Sequence, residues 1–196
     1  MLIVITGPVR SGKSRFAEMR ALRSRGPVVY LATAPKEQLD QAWGEQLARH
    51  LERRPSTWKT IETAGMESRK IEDLIRTTPA GSTVIVDSLG TWLADRMEKS
   101  NGEHADAVLT HLDLVSECFV DACIASKARV IVVGEEVGWS PLPEQPTARI
   151  FRDVLGRLQQ RLARAARNTY LVVAGYAIDV KAHGEPVYPR QRRPGA

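Results

Sequence analysis

The chain has 196 residues, 43% of them hydrophobic, which suits one domain with a sizeable core. Its formal net charge of +5 and isoelectric point near 9.5 favour anionic partners such as nucleotides. A disulfide scaffold and a zinc module are both excluded: the two cysteines, Cys118 and Cys123, fall on one expected helix as reduced packing residues, and no Cys/His cluster has ligand spacing.

The chain opens on an apolar run, Leu2-Ile3-Val4-Ile5, too short for a signal peptide or a membrane span, and a cytoplasmic protein is expected. Gly7-Pro8-Val9-Arg10-Ser11-Gly12-Lys13-Ser14 follows, with the spacing G-x-x-x-x-G-K-S between a predicted strand and a predicted helix. In that context the glycines let backbone N–H groups converge on one concavity, to which the helix adds its positive end. Lys13 is placed to meet the β and γ oxygens of a nucleotide and Ser14 to take one position on Mg²⁺. Pro8 removes one donor from this cradle.

The spacing predicts a helix from Ser14 to about Ser24 and a buried strand from Pro27 to Thr33. Leu39, Trp43, Leu47 and Leu51 recur every fourth position and mark an amphipathic helix from Lys36 to Leu51, with His50 near its end. A basic turn, Glu52-Arg53-Arg54-Pro55, leads to an alternating edge strand, Trp58 to Glu62. Met66 to Thr77 is weakly helical. Thr83-Val84-Ile85-Val86-Asp87 is a strand ending in a carboxylate, the usual second Mg²⁺ contact downstream of a phosphate loop.

Residues 105 to 125 are predicted helical, with Val108, Leu109, Leu112, Val115, Phe119 and Val120 on one face. Val130 to Gly134 is a strand and Gly138 to Pro143 a loop. A long helix from about Thr147 to Arg167 buries Ile150, Phe151, Val154, Leu155, Leu158 and Leu162, and its Arg149, Arg152, Arg157 and Arg161 read mainly as a solvated face. Tyr170 to Ala174 closes the sheet. Residues 1–181 read as a single domain and 182–196 as a loose Pro/Arg-rich tail. Strands alternating with helices imply an α/β fold of P-loop NTPase, RecA-like type, with a mostly parallel sheet covered on both faces.

These features imply binding of a nucleoside triphosphate with Mg²⁺ without saying which chemistry follows. His50 beside Arg53 and Arg54 suits nucleophilic attack on phosphorus, since an imidazole nitrogen can bond it and arginines can stabilise the transferring group. Periodicity alone also fits a structural histidine, because His50 falls near Leu39 and Trp43 on the helical wheel. His104, His111 and His183 have no useful partner spacing.

Together the motifs resemble the bifunctional adenosylcobinamide kinase and adenosylcobinamide-phosphate guanylyltransferase family of cobalamin synthesis. The resemblance rests on Ile5-Thr6-Gly7 with Arg10 to Ser14, Tyr30 to Thr33, His50 with Arg54-Pro55 and Trp58, Glu62, Asp87-Ser88-Leu89 with Trp92-Leu93, Glu136-Val137-Gly138, Phe151-Arg152-Asp153, Gly156-Arg157 and Gln160. It implies phosphoryl transfer from ATP or GTP to adenosylcobinamide, then GMP transfer from GTP through a guanylyl-histidine at His50. It also implies nucleotide contacts from the loop, from Thr33 and Ala34, from Leu51, Glu52, Arg53 and Arg54, and from Glu62, a homotrimeric assembly, and a corrinoid rather than nucleic acid as partner. The chain departs from the family's pattern at Pro8, Ser88, Gly90, Glu135, Ser140 and Gln159, where the family commonly has glycine, cysteine, threonine, asparagine, glycine and asparagine. A small-molecule kinase without covalent histidine chemistry is the competing reading. A nucleotide-gated nucleic-acid binder is disfavoured because no stretch interleaves aromatic and basic residues.

Overall fold

The computed structural model describes residues 1–24, 26–35, 54–100 and 104–187. Seven strands form one sheet: β1 (Leu2–Thr6), β2 (Val28–Ala32), β3 (Lys59–Glu62), β4 (Thr83–Asp87), β5 (Arg129–Val133), β6 (Asn168–Val173) and β7 (Tyr176–Asp179). The helices are α1 (Lys13–Leu22), α2 (Ser68–Thr77), α3 (Leu89–Glu98), α4 (Ala105–Ala125), α5 (Pro146–Ala165) and the short α6 (Val180–His183). The predicted helix over residues 36–51 lies outside the described residues.

The strand order is β3-β2-β4-β5-β1-β6-β7. Every neighbouring pair is parallel except β6 with β7. β5 lies between the phosphate-loop strand β1 and the aspartate strand β4, the order of RecA-like P-loop folds, as expected. β3 is an edge strand, also as expected.

Both faces of the sheet are covered, which explains why its central strands are unbroken apolar runs. On one face Leu2, Val4, Val84, Val86, Val130 and Val132 pack with Leu112 and Phe119 of α4 and Leu155 and Leu158 of α5. On the other, Ile3, Ile5, Ile85, Ile131 and Val133 pack with Ala17 and Ala21 of α1. Each fully buried Ile or Leu contributes roughly 1.5–3 kcal/mol, so this double layer is the main source of stability. Cys123 is buried in the first layer, where burial, together with the charge of Glu72, pushes its thiol well up; Cys118 is free and half-buried.

Three elements differ from the sequence reading. Residues 89–98 form α3, which no periodicity announces. The strand expected at 170–174 spans 168–173 and turns back as the antiparallel β7, through Ala174 (φ 50°) and Gly175 (φ 83°). Ala182 and His183, expected in the tail, complete α6.

Candidate functional site

The carboxyl ends of β1, β2, β3, β4 and β5 converge where α1 begins. The phosphate loop leaves β1 with Arg10 in the left-handed region (φ 58°), and Gly12 (φ 99°) caps α1. Gly7 is required by close approach: a Cβ there would lie 2.2 Å from the Val172 carbonyl oxygen, a backbone atom that cannot yield. Ser11 N–H donates to the Pro8 carbonyl at 3.3 Å and Gly175 N–H to the Ser11 carbonyl at 3.0 Å. Lys13 Nζ donates to the Pro8 carbonyl at 3.2 Å. Arg10 and Val9 are exposed at the rim.

Ser14, at the start of α1, donates from Oγ to Asp87 Oδ1 at 3.3 Å. The pair joins the phosphate loop to the end of β4, two strands away. These are two oxygen donors, and no cluster of three or more His, Cys, Asp or Glu side chains fit for a metal occurs among the described residues. That donor set fits Mg²⁺, which keeps waters and takes phosphate oxygens beside one or two protein oxygens.

The register aligns Asp87 with Ala32 of β2 and Ala32 with Glu62 of β3. Glu62 therefore stands in the same cross-strand row as Asp87, on the order of 10 Å away at the usual strand spacing. Thr33, expected to touch nucleotide, is committed to the protein. Its hydroxyl donates to the Ser88 carbonyl at 2.7 Å and accepts from Ser88 N–H at 2.6 Å. Ala34 beside it is half-buried.

Arg54 lies over the ring of Tyr30, with Cζ 3.6 Å from the centroid. Its Nε and Nη1 are buried without a hydrogen-bond partner among the described residues. Trp58 stacks on the same ring with centroids 6.4 Å apart and planes at 25°. The Tyr30 hydroxyl donates to Asp87 Oδ2. Burial and the Asp87 charge push this phenol well above its usual range, against the opposing pull of Arg54, so it keeps its proton and donates. His50, Leu51, Glu52 and Arg53 lie outside the described residues.

Two further groups stand at this edge, built from residues of the segments compared with the family but given no role by the sequence. Glu135, just past β5, accepts from the Gly90 amide at 2.8 Å, at the start of α3. Burial raises its carboxyl above the usual range and Asp87 adds to the rise, while Ser88, Lys13 and the Gly90 amide pull the other way. Thr6 Oγ1 sits 2.7 Å from Glu136 Oε1 and 2.6 Å from Gln159 Oε1, and Gln159 Nε2 donates to the Glu135 carbonyl at 2.9 Å. Their charge and hydroxyl content next to the phosphate loop was the available signal, but their proximity is created by the sheet.

Four of the five arginines of α5, Arg149, Arg152, Arg157 and Arg161, are engaged within the protein as follows. Arg149 donates to the carbonyls of Pro143 (2.8 Å) and Glu144 (3.2 Å). Arg152 donates to those of Gly138, Ser140 and Pro141 at 2.9–3.2 Å. Arg157 and Arg161 pair with Asp113, and Arg161 also with Glu117, on α4.

The family described as cobinamide kinase / cobinamide phosphate guanyltransferase matches residues 3–180. The bifunctional adenosylcobalamin biosynthesis protein CobU of Salmonella typhimurium is 34% identical over 189 residues, covering 92% of this chain and 100% of that one. CobU of Escherichia coli K12 is 31% identical over 188 residues, covering 92% and 100%. The similarly described CobP of Pseudomonas aeruginosa is 31% identical over 185 residues, covering 94% and 98%. A crystal structure of the RadB recombinase aligns at a TM-score of 0.46 and 19% identity, covering 87% of this chain and 73% of that one. The fold assignment stands on the strand order and not on that likeness.

Proposed function

The chain belongs to the cobinamide kinase / cobinamide phosphate guanyltransferase family, and on that premise we propose that it catalyses both reactions, ending in adenosylcobinamide-GDP. In the kinase step the aminopropanol hydroxyl oxygen of adenosylcobinamide bonds the terminal phosphorus of ATP or GTP. The nucleoside diphosphate leaves and the hydroxyl proton passes to solvent. In the second reaction an imidazole nitrogen of His50 bonds the α phosphorus of GTP and pyrophosphate leaves. A phosphate oxygen of adenosylcobinamide phosphate then bonds that phosphorus as the P–N bond breaks. Dividing one hard transfer into two easier ones is what a nucleophilic side chain contributes.

Gly7, Pro8, Val9, Arg10, Ser11 and Gly12 form the phosphate cradle, with Lys13 set against the β and γ oxygens. Ser14 and Asp87 would hold Mg²⁺, which would offset the charge on the phosphates. Thr33 and Ala34, Leu51 to Arg54, and Glu62 make up the rest of the nucleotide site, the Thr33 contact running through backbone because its hydroxyl is already engaged. Residues 1–181 act as one nucleotide-binding and transferase domain. The protein works in the cytoplasm as a homotrimer, a reading supported by exposed Tyr176, Ile178 and Val180 at the β7 edge of the sheet. No described helix is long and apolar enough to cross a membrane.

One observation carries this reading. Arg54, four residues beyond His50, is seated on Tyr30 with two N–H donors unsatisfied among the described residues, while Tyr30 holds the carboxylate that meets Ser14 of the phosphate loop. A triphosphate cradled by the loop is the anion those donors lack.

The test is incubation of the protein and its His50→Ala variant with Mg²⁺ and GTP labelled at the α or the γ phosphate, reading label on denatured protein. We expect acid-labile α label on the wild type and none on the variant. Absence of α label on both would sink the covalent mechanism and leave a simple small-molecule kinase.

A further inference from the structure

On one face of the sheet Tyr30 is 1% exposed and packs among Ile3, Ile5, Ile85 and Ile131. A buried phenol needs a partner for its hydroxyl, and an isoleucine or valine would pack there without that demand. The partner is Asp87 Oδ2, while Oδ1 faces Ser14 Oγ at 3.3 Å. The terminal torsion of an aspartate is broad and nearly two-fold, so an unsupported Asp87 would turn freely and present either oxygen or both. The phenol engages one oxygen and leaves the other directed at the phosphate loop.

The ring does a second job. It seats the Arg54 guanidinium at 3.6 Å without using any of its N–H donors, and Trp58 backs it. Arg54 and Trp58 both precede β3, so the chain entering that strand is laid against the side chain that orients Asp87.

We propose that Tyr30 is a positioning residue with two separable parts: its hydroxyl fixes Asp87 to bind Mg²⁺ through a single oxygen, and its ring holds Arg54 for transfer from the nucleotide α phosphate. The inference rests on the proposed function for the roles of Asp87 and Arg54.

The experiment compares wild type with Tyr30→Phe and Tyr30→Leu, using Mn²⁺–GTP binding followed by electron paramagnetic resonance, α-label retention, and γ-phosphoryl transfer to adenosylcobinamide over a range of Mg²⁺. Outer partners of a metal ligand are generally worth ten- to a hundredfold in metal affinity. Tyr30→Phe keeps the ring and is expected to weaken Mn²⁺–GTP binding about tenfold. It should also raise the Mg²⁺ needed for half-maximal rate while recovering α-label retention at saturating Mg²⁺. Tyr30→Leu loses both parts, and α-label retention stays low at saturating Mg²⁺ while γ transfer recovers. Unchanged Mn²⁺–GTP binding and Mg²⁺ dependence in Tyr30→Phe would overturn the role of the hydroxyl. Full α labelling of a folded Tyr30→Leu protein would overturn that of the ring. A wild type that binds Mn²⁺–GTP yet retains no α label refutes the guanylyl-histidine, and the Mn²⁺ comparison still decides the role of the hydroxyl.

Discussion

Gly90 and Glu135 are a matched pair. A Cβ at position 90 would stand 2.6 Å from Glu135 Oε2, where the carboxylate takes up the Gly90 amide. A helical glycine costs up to about 1 kcal/mol relative to alanine, and here it makes room for an acid at the positive end of α3. Because the obstructing atom is the tip of a flexible side chain, Gly90→Thr should displace the carboxylate rather than unfold the protein. We expect Gly90→Thr and Glu135→Asn each to lower stability, and the double variant to regain part of the loss. Urea denaturation should give a coupling of about 1 kcal/mol between the two positions; strict additivity would show that they act independently. Gly7, facing a backbone carbonyl, has no such remedy.

Asp179 shows how a single element is tied down. It accepts from the amides of Lys181 (3.1 Å) and Ala182 (3.3 Å) and from Asn168 Nδ2 (2.8 Å), joining β7, α6 and β6. Its slight burial works against ionisation, but these hydrogen bonds prevail and hold the carboxyl below its usual range. With the folded pKa depressed, the contribution is full above the ordinary carboxylate pKa and is lost as pH falls through the folded value. Hydrogen-exchange protection factors in residues 176–183 should therefore fall on acidification below the usual carboxylate range, earlier than in β4 or β5, and Asp179→Ala should remove that step. The elements themselves were unequally legible. Doubly covered strands declare themselves as Val/Ile runs, and α4 shows a clean apolar stripe. In contrast, α3 carries Arg96 on its buried side, bonded to Ser68 Oγ at 2.8 Å and to the Met66 carbonyl, and this charge interrupts the stripe. β7 follows an Ala-Gly turn in place of the Asn-Gly or Asp-Gly that signals a hairpin.

At the scale of the whole molecule, the outer side of β7, which pairs with no other strand among the described residues, bears on assembly. An edge strand with exposed Tyr176 and Ile178 is the kind of surface a second copy covers. Light scattering coupled to size exclusion should give three times the mass of the chain, and Ile178→Lys should shift that mass toward one; a wild-type mass of a single chain would refute the trimer. The phosphate loop and Asp87 were legible because each is a local pattern. The roles of Tyr30, Glu135 and Gln159 were not, although all three fall in segments compared with the family, since it is the sheet that brings them to the same edge, from positions as far apart as 30 and 159. The loop between β5 and α5 makes a different point. Arg149 and Arg152 grip five of its carbonyl oxygens and none of its side chains. Its course is thus set independently of its composition, and outward-facing Trp139 and Leu142 are free to drift over evolutionary time, or to be exchanged by an engineer, while the path they decorate stays where it is.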